Sequence, residues 1–572
     1  MKYRGYVIML TLLIAVAGAG CRGDGEGWPS DLGGTPGGGA TPGGGGGTPG
    51  GGGGTPGGVA FSVTAMKLVQ PSGEELAIDE VQTRVSRAAN IKITYTGARA
   101  IEPALTLDGQ AVELQVVSEA DGVLIVKPML PLHNLKKYNF ALGDSAAAFK
   151  VKAPGDINGD GQGDFIVGAP GYQESQGSPA AIVYGAAFVY FGKQALLDAQ
   201  TARLFDIYDF LIWGNNVASE FGSALAMGDI NGDGYDDVIA AGPAAGPVSV
   251  FYGPLASNGK KGVPQADAQI TKTSPAAFGY AVAAGDVNGD GFDDIIIGEP
   301  LTAINVGAVY VVFGKKGGIA ASVAFSDAAH QPADTITLGY TPTGTEVKYL
   351  GRSVATADLD GDGKDDIIIG APHSAGATIG KVFVVMGADA IAGGANALNA
   401  TTEVHLIKAS AGIDRFGISV SARGGAGGDE VLIGAASKAF GYALADQSPV
   451  ALGSMCVPPT FSGETIVAGL HTSVGIGDPS ASKFYRYRET IGCADDVGQS
   501  PTSRLGAAIA PLGDLNGLAN ARIDEDYLVG EKDFVIMGHY PGRVWINMNI
   551  KMAILGLKDF HFGAAVAGGR IR

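Results

Sequence analysis

The sequence predicts an all-β protein in which a small sandwich precedes a large ring of repeated antiparallel sheets. Three observations predict it. Glycine accounts for 92 of 572 residues, and it stays at about twice the usual ~7% when the low-complexity tract Gly33–Gly58 is set aside. Glycine that dense outside a linker means many tight turns and few long helices. One acidic phrase returns at intervals of 57 to 73 residues from position 156 onward. The end of the chain also supplies the half-repeat that the start of the array lacks.

The elements follow in chain order. Lys2 and Arg4 precede an apolar run, Tyr6 to Val16, too short to span a bilayer. Small residues then lead into Cys21, so residues 1–21 read as a secretory signal. They resemble a bacterial lipoprotein signal, with Gly18 where that family favours an aliphatic residue. The resemblance implies lipidation at Cys21, and Arg22 after it implies the outer membrane or cell surface. The alternative is ordinary signal-peptidase cleavage. Of the three cysteines, this leaves Cys456 and Cys493 to pair as a disulfide in an oxidising compartment. Residues 22–58 are a Gly/Thr/Pro-rich tether with an r.m.s. reach of roughly 30–35 Å.

Residues 59–152 carry short alternating runs at Ile91–Tyr95, Val112–Val116, Val123–Val126, Tyr138–Leu142 and Phe149–Val151, with Asp-Gly turns at 108 and 121. That spacing predicts an antiparallel sandwich. The stretch from Pro131-Leu132 to Tyr138 resembles the end of a bacterial Ig-like domain, and a spacer role is expected.

The repeat begins with Asp156-Ile-Asn158-Gly-Asp160-Gly-Gln162-Gly-Asp164, followed by Phe-Ile-Val-Gly168-Ala169-Pro170. It returns with Asp229, Asn231, Asp233, Tyr235 and Asp237. A third copy holds Asp286, Asn288, Asp290, Phe292 and Asp294, and a fourth holds Asp358, Asp360, Asp362, Lys364 and Asp366. An aromatic residue or leucine followed by glycine stands before the later loops, at Phe221-Gly222, Phe278-Gly279 and Leu350-Gly351. These phrases resemble the FG-GAP repeat of integrin α subunits and related bacterial surface proteins. The resemblance covers 153–572 and implies a β-propeller.

Two further units are degraded. Phe416-Gly417 precedes Asp429-Glu430 without an acidic ladder, and Leu505-Gly506 precedes Asp514, Asn516 and a distant Asp526. Metal binding is not expected at 429 and is in question at 514–526. Six acidic-loop positions favour six blades, with seven open if 429–514 hides another. The loop at Asp156 lacks its preceding Phe-Gly strand, whereas the chain finishes on Phe562-Gly563 with no loop after it. In a closed ring the last strand completes the first blade, and closure removes the exposed edge.

Oxygens at loop positions one, three, five and nine, with the backbone carbonyl at seven (Gln162, Tyr235, Phe292, Lys364), suit Ca²⁺, which takes six to eight hard oxygens at about 2.3–2.6 Å. About four ions are expected. An EF-hand is excluded, because its bidentate Glu at position twelve is replaced by Val167, Ala240, Ile297 and Ile369. The thirteen ligand carboxylates, with neighbouring Asp236, Asp293 and Asp365, account for most of the net charge of −18. That charge argues against a nucleic-acid partner.

No zinc spacing, nucleophile elbow or phosphate loop is present. The expectation is a non-enzymatic, surface-anchored binding or adhesion module for an extracellular protein or glycan. The alternatives are an envelope hydrolase or its accessory subunit, acting on polysaccharide or lipid, and a purely structural envelope protein. Arg22-Gly23-Asp24 reads as a chance tripeptide. An insertion at about 437–505, with the string Phe484-Tyr485-Arg486-Tyr487-Arg488, is either a recognition loop or a covering decoration.

Overall fold

The computed structural model describes residues 60–423 apart from residue 80 and the segments 176–181, 193–200, 204–207, 216–219, 244–245, 274, 276, 303–305, 327–331, 341–348, 373–379, 388–394, 399–403 and 409–416. Beyond 423 it describes 430–434, 438–442, 450–454, 505–513, 526–531, 543–547, 551–555 and 566–568. The signal, the tether, Cys21, Cys456, Cys493 and the loops at Asp429 and Asp514 lie outside these residues.

Two antiparallel sheets form the N-terminal sandwich. One holds Glu75–Ala77, Ser62–Val69, Asn90–Thr96, Val123–Pro128 and Leu114–Ala120; the other holds Gln110–Val112, Ala104–Leu107, Lys137–Leu142 and Ser145–Lys150. Alternation places Ile91, Ile93, Leu124 and Val126 of one sheet against Tyr138, Phe140 and Phe149 of the other. The run expected at Val112–Val116 does not form one strand. It breaks at Glu113, and its two halves belong to different sheets, a corner at which the chain crosses the sandwich.

Six further sheets follow among the described residues. The second contains Ala224–Gly228, Asp237–Ala241, Val248–Phe251 and Ala268–Lys272; the third Ala281–Gly285, Asp294–Glu299, Ala308–Val312 and Thr335–Gly339; the fourth Ser353–Ala357, Asp366–Ala371, Lys381–Val385 and Val404–Lys408. The fifth is Ser419–Arg423, Glu430–Gly434, Lys438–Tyr442 and Val450–Ser454, and the sixth Leu505–Gly513, Asp526–Glu531, Arg543–Asn547 and Lys551–Leu555. Lys438–Tyr442 and Val450–Ser454, which fall inside the insertion expected at about 437–505, are strands of the fifth sheet.

The first sheet is built from both ends of the repeat. Phe165–Ser175, Ile182–Tyr190 and Phe210–Trp213 are joined by Val566–Gly568, which pairs antiparallel with Phe165, Ile166 and Val167. The six innermost strands neighbour one another in a closed cycle. This all-β architecture is that of a β-propeller.

Why the second strands are continuously apolar is now clear. Neighbouring sheets pack face to face, so both faces of a strand are buried and the period-two alternation divides between two interfaces. Ile295 and Ile297 join the core shared with the second sheet, while Ile296 joins the core shared with the fourth. In the same way, Ile367 and Ile369 face the third sheet and Ile368 the fifth.

Short parallel strands lap the outer edges. Gly259–Gly262, from the second unit, pairs with Phe210–Trp213 of the first sheet; Ser322–Phe325 and Ala395–Ala397 make the corresponding step back onto the second and third sheets. Thr201–Arg203, from the first unit, pairs with Lys551–Leu555 of the sixth. Each covers an edge that would otherwise be free to pair with another chain.

Candidate metal-binding loops

All four intact loops join the innermost strand of a sheet, or the sandwich in the case of the first, to the second strand. Each is pinned by the aliphatic residue at position two. Ile157, Ile230, Val287 and Leu359 are buried in the cores between sheets.

The carboxylate at position one curls the loop. Asp156 Oδ1 accepts from the Gly159 and Asp160 amides at 2.7 and 3.1 Å, and its Oδ2 from Gly161 at 2.9 Å. Asp286 repeats the pattern at 2.7, 3.1 and 2.8 Å. Asp229 accepts from Asp233 and Gly234, and Asp358 from Gly361 and Gly363. At position seven the amides of Gln162, Tyr235, Phe292 and Lys364 donate to the position-five carboxylates. Asn158, Asn231 and Asn288 each donate a side-chain N–H to the position-five carboxylate of their own loop. In the fourth loop, position three is itself acidic. There, oxygens of Asp358, Asp360 and Asp362 lie within 4.8 Å of one another.

Position nine does more than close a site. Asp164 accepts from the Ile157 amide at 2.8 Å with one oxygen and from Gly192 at 2.8 Å with the other. The arrangement recurs at Asp237 with Ile230 and Gly253, at Asp294 with Val287 and Gly314, and at Asp366 with Leu359 and Gly387. This residue staples the loop's start to the end of the third strand.

Sequence reasoning counted Asp236, Asp293 and Asp365 only as extra charge. The structure gives position eight a task between sheets. The Asp236, Asp293 and Asp365 amides donate to the position-one carbonyls of the preceding loops, Asp156, Asp229 and Asp286, at 2.9, 3.0 and 2.8 Å. The carboxylates of Asp236 and Asp293 accept from the Gly155 and Asp229 amides. The recurrent Asp-Asp at positions eight and nine was the available signal, with Gly163 as its exception.

A second missed residue is Lys152, where the sandwich meets the ring. Its buried ammonium lies 2.5 Å from Asp236 and 3.5 Å from Asp229. Burial pushes its pKa down, but the two carboxylates more than offset this and hold it charged.

Most of the loop carboxylates are desolvated, and the amides that donate to them, with Lys152 beside Asp229, offset this only in part. Burial raises Asp156, Asp229 and Asp286, and Asp366 at position nine, to about 7, with neighbouring carboxylates adding to the effect. Asp164, Asp237 and Asp294 are pushed well above the usual range for the same reasons. Oxygen donors gathered in this way, hard and short of counter-charge, fit a divalent cation.

The two glycine phrases have a steric reason. A Cβ on Gly168 would overlap the carbonyl oxygen of Gly222, and the pairs Gly298–Gly351 and Gly370–Gly417 repeat the contact across successive interfaces. Glycine lets the backbones of adjacent sheets touch.

Comparison with known proteins matches this pattern. A model described as the FG-GAP repeat matches residues 153–183 and 350–385, and one described as an FG-GAP-like repeat matches 229–297. The chain carries FG-GAP repeats and is integrin α-like in that region. Integrin alpha-4 of Xenopus laevis is 29% identical over 252 residues, 43% of this chain and 21% of that protein. Integrin alpha-IIb of Mus musculus is 33% identical over 180 residues, 29% of this chain and 16% of that one. Phosphatidylinositol-glycan-specific phospholipase D of Rattus norvegicus is 30% identical over 199 residues, 33% and 22% respectively. The chain thus spans about a fifth of the length of these relatives. Among the described residues, no helix is long and apolar enough to cross a membrane.

Proposed function

We propose that this FG-GAP protein is a calcium-stabilised, six-bladed binding or adhesion module, anchored to a bacterial envelope through lipid at Cys21 and recognising an extracellular protein or glycan. The observation that carries the metal part is the fourfold recurrence of a buried position-nine carboxylate beside a loop of oxygen donors. Asp156, Asn158, Asp160 and the Gln162 carbonyl would hold one ion, and the equivalent residues of the other three loops one each, with the position-nine aspartates closing each set. The ion supplies positive charge that keeps these carboxylates ionised and ties the two ends of each loop. Similarity to integrin α subunits supports the binding part.

The phospholipase D similarity supports a second reading, an envelope hydrolase or its accessory subunit. That relative shares the FG-GAP domain and matches only 33% of this chain and 22% of its own length, which favours a shared scaffold over a shared activity. Calcium counted by elemental analysis, together with thermal melting before and after chelation, tests the metal. Four ions and a lower melting temperature after stripping are expected; absence of bound calcium refutes it. Binding to envelope fractions and glycan arrays, by the wild type and by a chain lacking 455–504, tests recognition. No saturable ligand in either form would point to a structural role.

A further inference from the structure

The sandwich does not stand clear of the ring as a spacer would. It touches all four intact loops, each time at the position-six glycine around which the loop turns. A Cβ on Gly161 would lie 2.9 Å from Thr83 Cγ2, one on Gly291 2.8 Å from Ala88 Cβ, and one on Gly363 2.5 Å from Pro131 Cδ; on Gly234 it would overlap the Arg84 carbonyl oxygen. Polar contacts reinforce the seats at Gly161 and Gly234. Thr83 Oγ1 donates to the Gly159 carbonyl at 2.7 Å, the Ser72 amide to the Gly232 carbonyl at 3.1 Å, and Arg84 Nη1 to the Asp233 carbonyl at 3.3 Å. The Arg84 guanidinium also lies 5.2 Å over the Tyr235 ring. Gln70, 2% exposed, braces this region by donating to the Arg84 carbonyl and accepting from the Ser86 amide.

The parts in contact are therefore the parts a cation would shape. The position-six turn is set by the position-one carboxylate, whose oxygens would be shared between the Gly161-type amides and the ion. We propose that the sandwich is a calcium-dependent cap: loading of the loops forms the seat on which Thr83, Arg84, Ala88 and Pro131 rest, and the seated sandwich in turn raises the loops' affinity for calcium. This rests on the calcium reading above. Coupling of this kind is reciprocal, because two equilibria that share one interface shift each other equally. Thr83, Arg84 and Ala88 are positioning residues here, since they act on the ion through the loop backbone.

Hydrogen exchange on the full chain, with calcium and after its removal on a chelating resin, reads the coupling directly, because the Ser72 amide crosses the seam. Stripping is expected to speed exchange at 70–73 and 83–88 by about tenfold or more, while the core strand Asn90–Thr96 keeps its protection. Ala88→Trp should open the same segments with calcium present and raise the calcium concentration for half-loading by about fivefold. Should that variant fail to fold, Thr83→Val, which removes one bond, should show the same two changes at smaller amplitude. Calcium that is bound and then lost, with ring loops that respond and a seam that does not, would overturn the coupling while leaving the calcium reading intact. No calcium on the wild-type chain would overturn the reading beneath it.

Discussion

The first four sheets and the last two are built alike but furnished differently. In the fifth sheet Glu430 opens the second strand opposite Arg423, and in the sixth Asp526 does so opposite Gly513, the same register as Asp237 opposite Gly228 and Asp294 opposite Gly285. Both keep the antiparallel order of their neighbours, yet their sequences lack the intact acidic ladder. The ladder is therefore not what makes a sheet. Antiparallel strand pairing does that in all six, and the ladder is kept in those units whose loops the sandwich touches.

The largest effect that can break this comparison is removal of calcium. With each ion at 100 times its Kd, binding stabilises by about 2.7 kcal/mol, so complete stripping should lower the melting temperature by many degrees. The pH dependence of the stripped protein has a definite sign. Asp156, Asp229, Asp286 and Asp366 sit near 7 in the metal-free fold, above the ~3.9 of an unfolded aspartate. Between these values the fold holds more protons than the unfolded chain, so stability is present below about pH 4 and is lost as pH rises through 7. The melting temperature of the stripped protein should fall from pH 5 to pH 8. With saturating calcium that fall should vanish, and a fall of equal size in both forms would count against cation binding at these carboxylates.

Next in size is the contrast at position nine. Asp294→Ala leaves the Val287 and Gly314 amides without their acceptor, at a cost of about 3–5 kcal/mol in urea unfolding. Glu430→Ala, at the equivalent register of a unit without the ladder, should cost about 1 kcal/mol or less. Equal losses would erase the distinction between the two sets of sheets. A smaller effect separates the fourth loop from the other three. Asp360→Asn gives it their composition, and its calcium affinity should fall by about fivefold as one charged ligand is lost, read by titration calorimetry. The smallest lies beside the first loop, where Tyr190 stacks on Phe165. The Tyr190 hydroxyl is buried without a hydrogen-bond partner among the described residues, so Tyr190→Phe should leave stability unchanged or raise it by up to about 1 kcal/mol.

The sequence displayed what is local and repeated. Asp, Asn and Gly at fixed offsets announced each loop, and the terminal Phe-Gly phrase without a following loop announced that the last strand would return to the first sheet. The edge strands were not legible. Gly259–Gly262 reads Gly-Lys-Lys-Gly and Ala395–Ala397 reads Ala-Asn-Ala, too short and too unlike a half-buried strand to show a period, and they exist because a neighbouring edge is there to receive them. The seam was illegible for a related reason. Thr83, Arg84, Ala88 and Pro131 share no motif, and only the packed structure brings them to the four loops. Lys152 belongs to no motif, and only the folded structure sets the carboxylates of Asp229 and Asp236 beside it.

The return of Val566–Gly568 to the first sheet sets a condition on biosynthesis. Strand Phe165–Ser175 leaves the ribosome some four hundred residues before its partner. Until then its backbone amides face an open flank, and the Thr201–Arg203 segment has no Lys551–Leu555 to lie against. A chain released early would carry both flanks exposed, the kind of partly folded product that chaperones must shield or proteases remove.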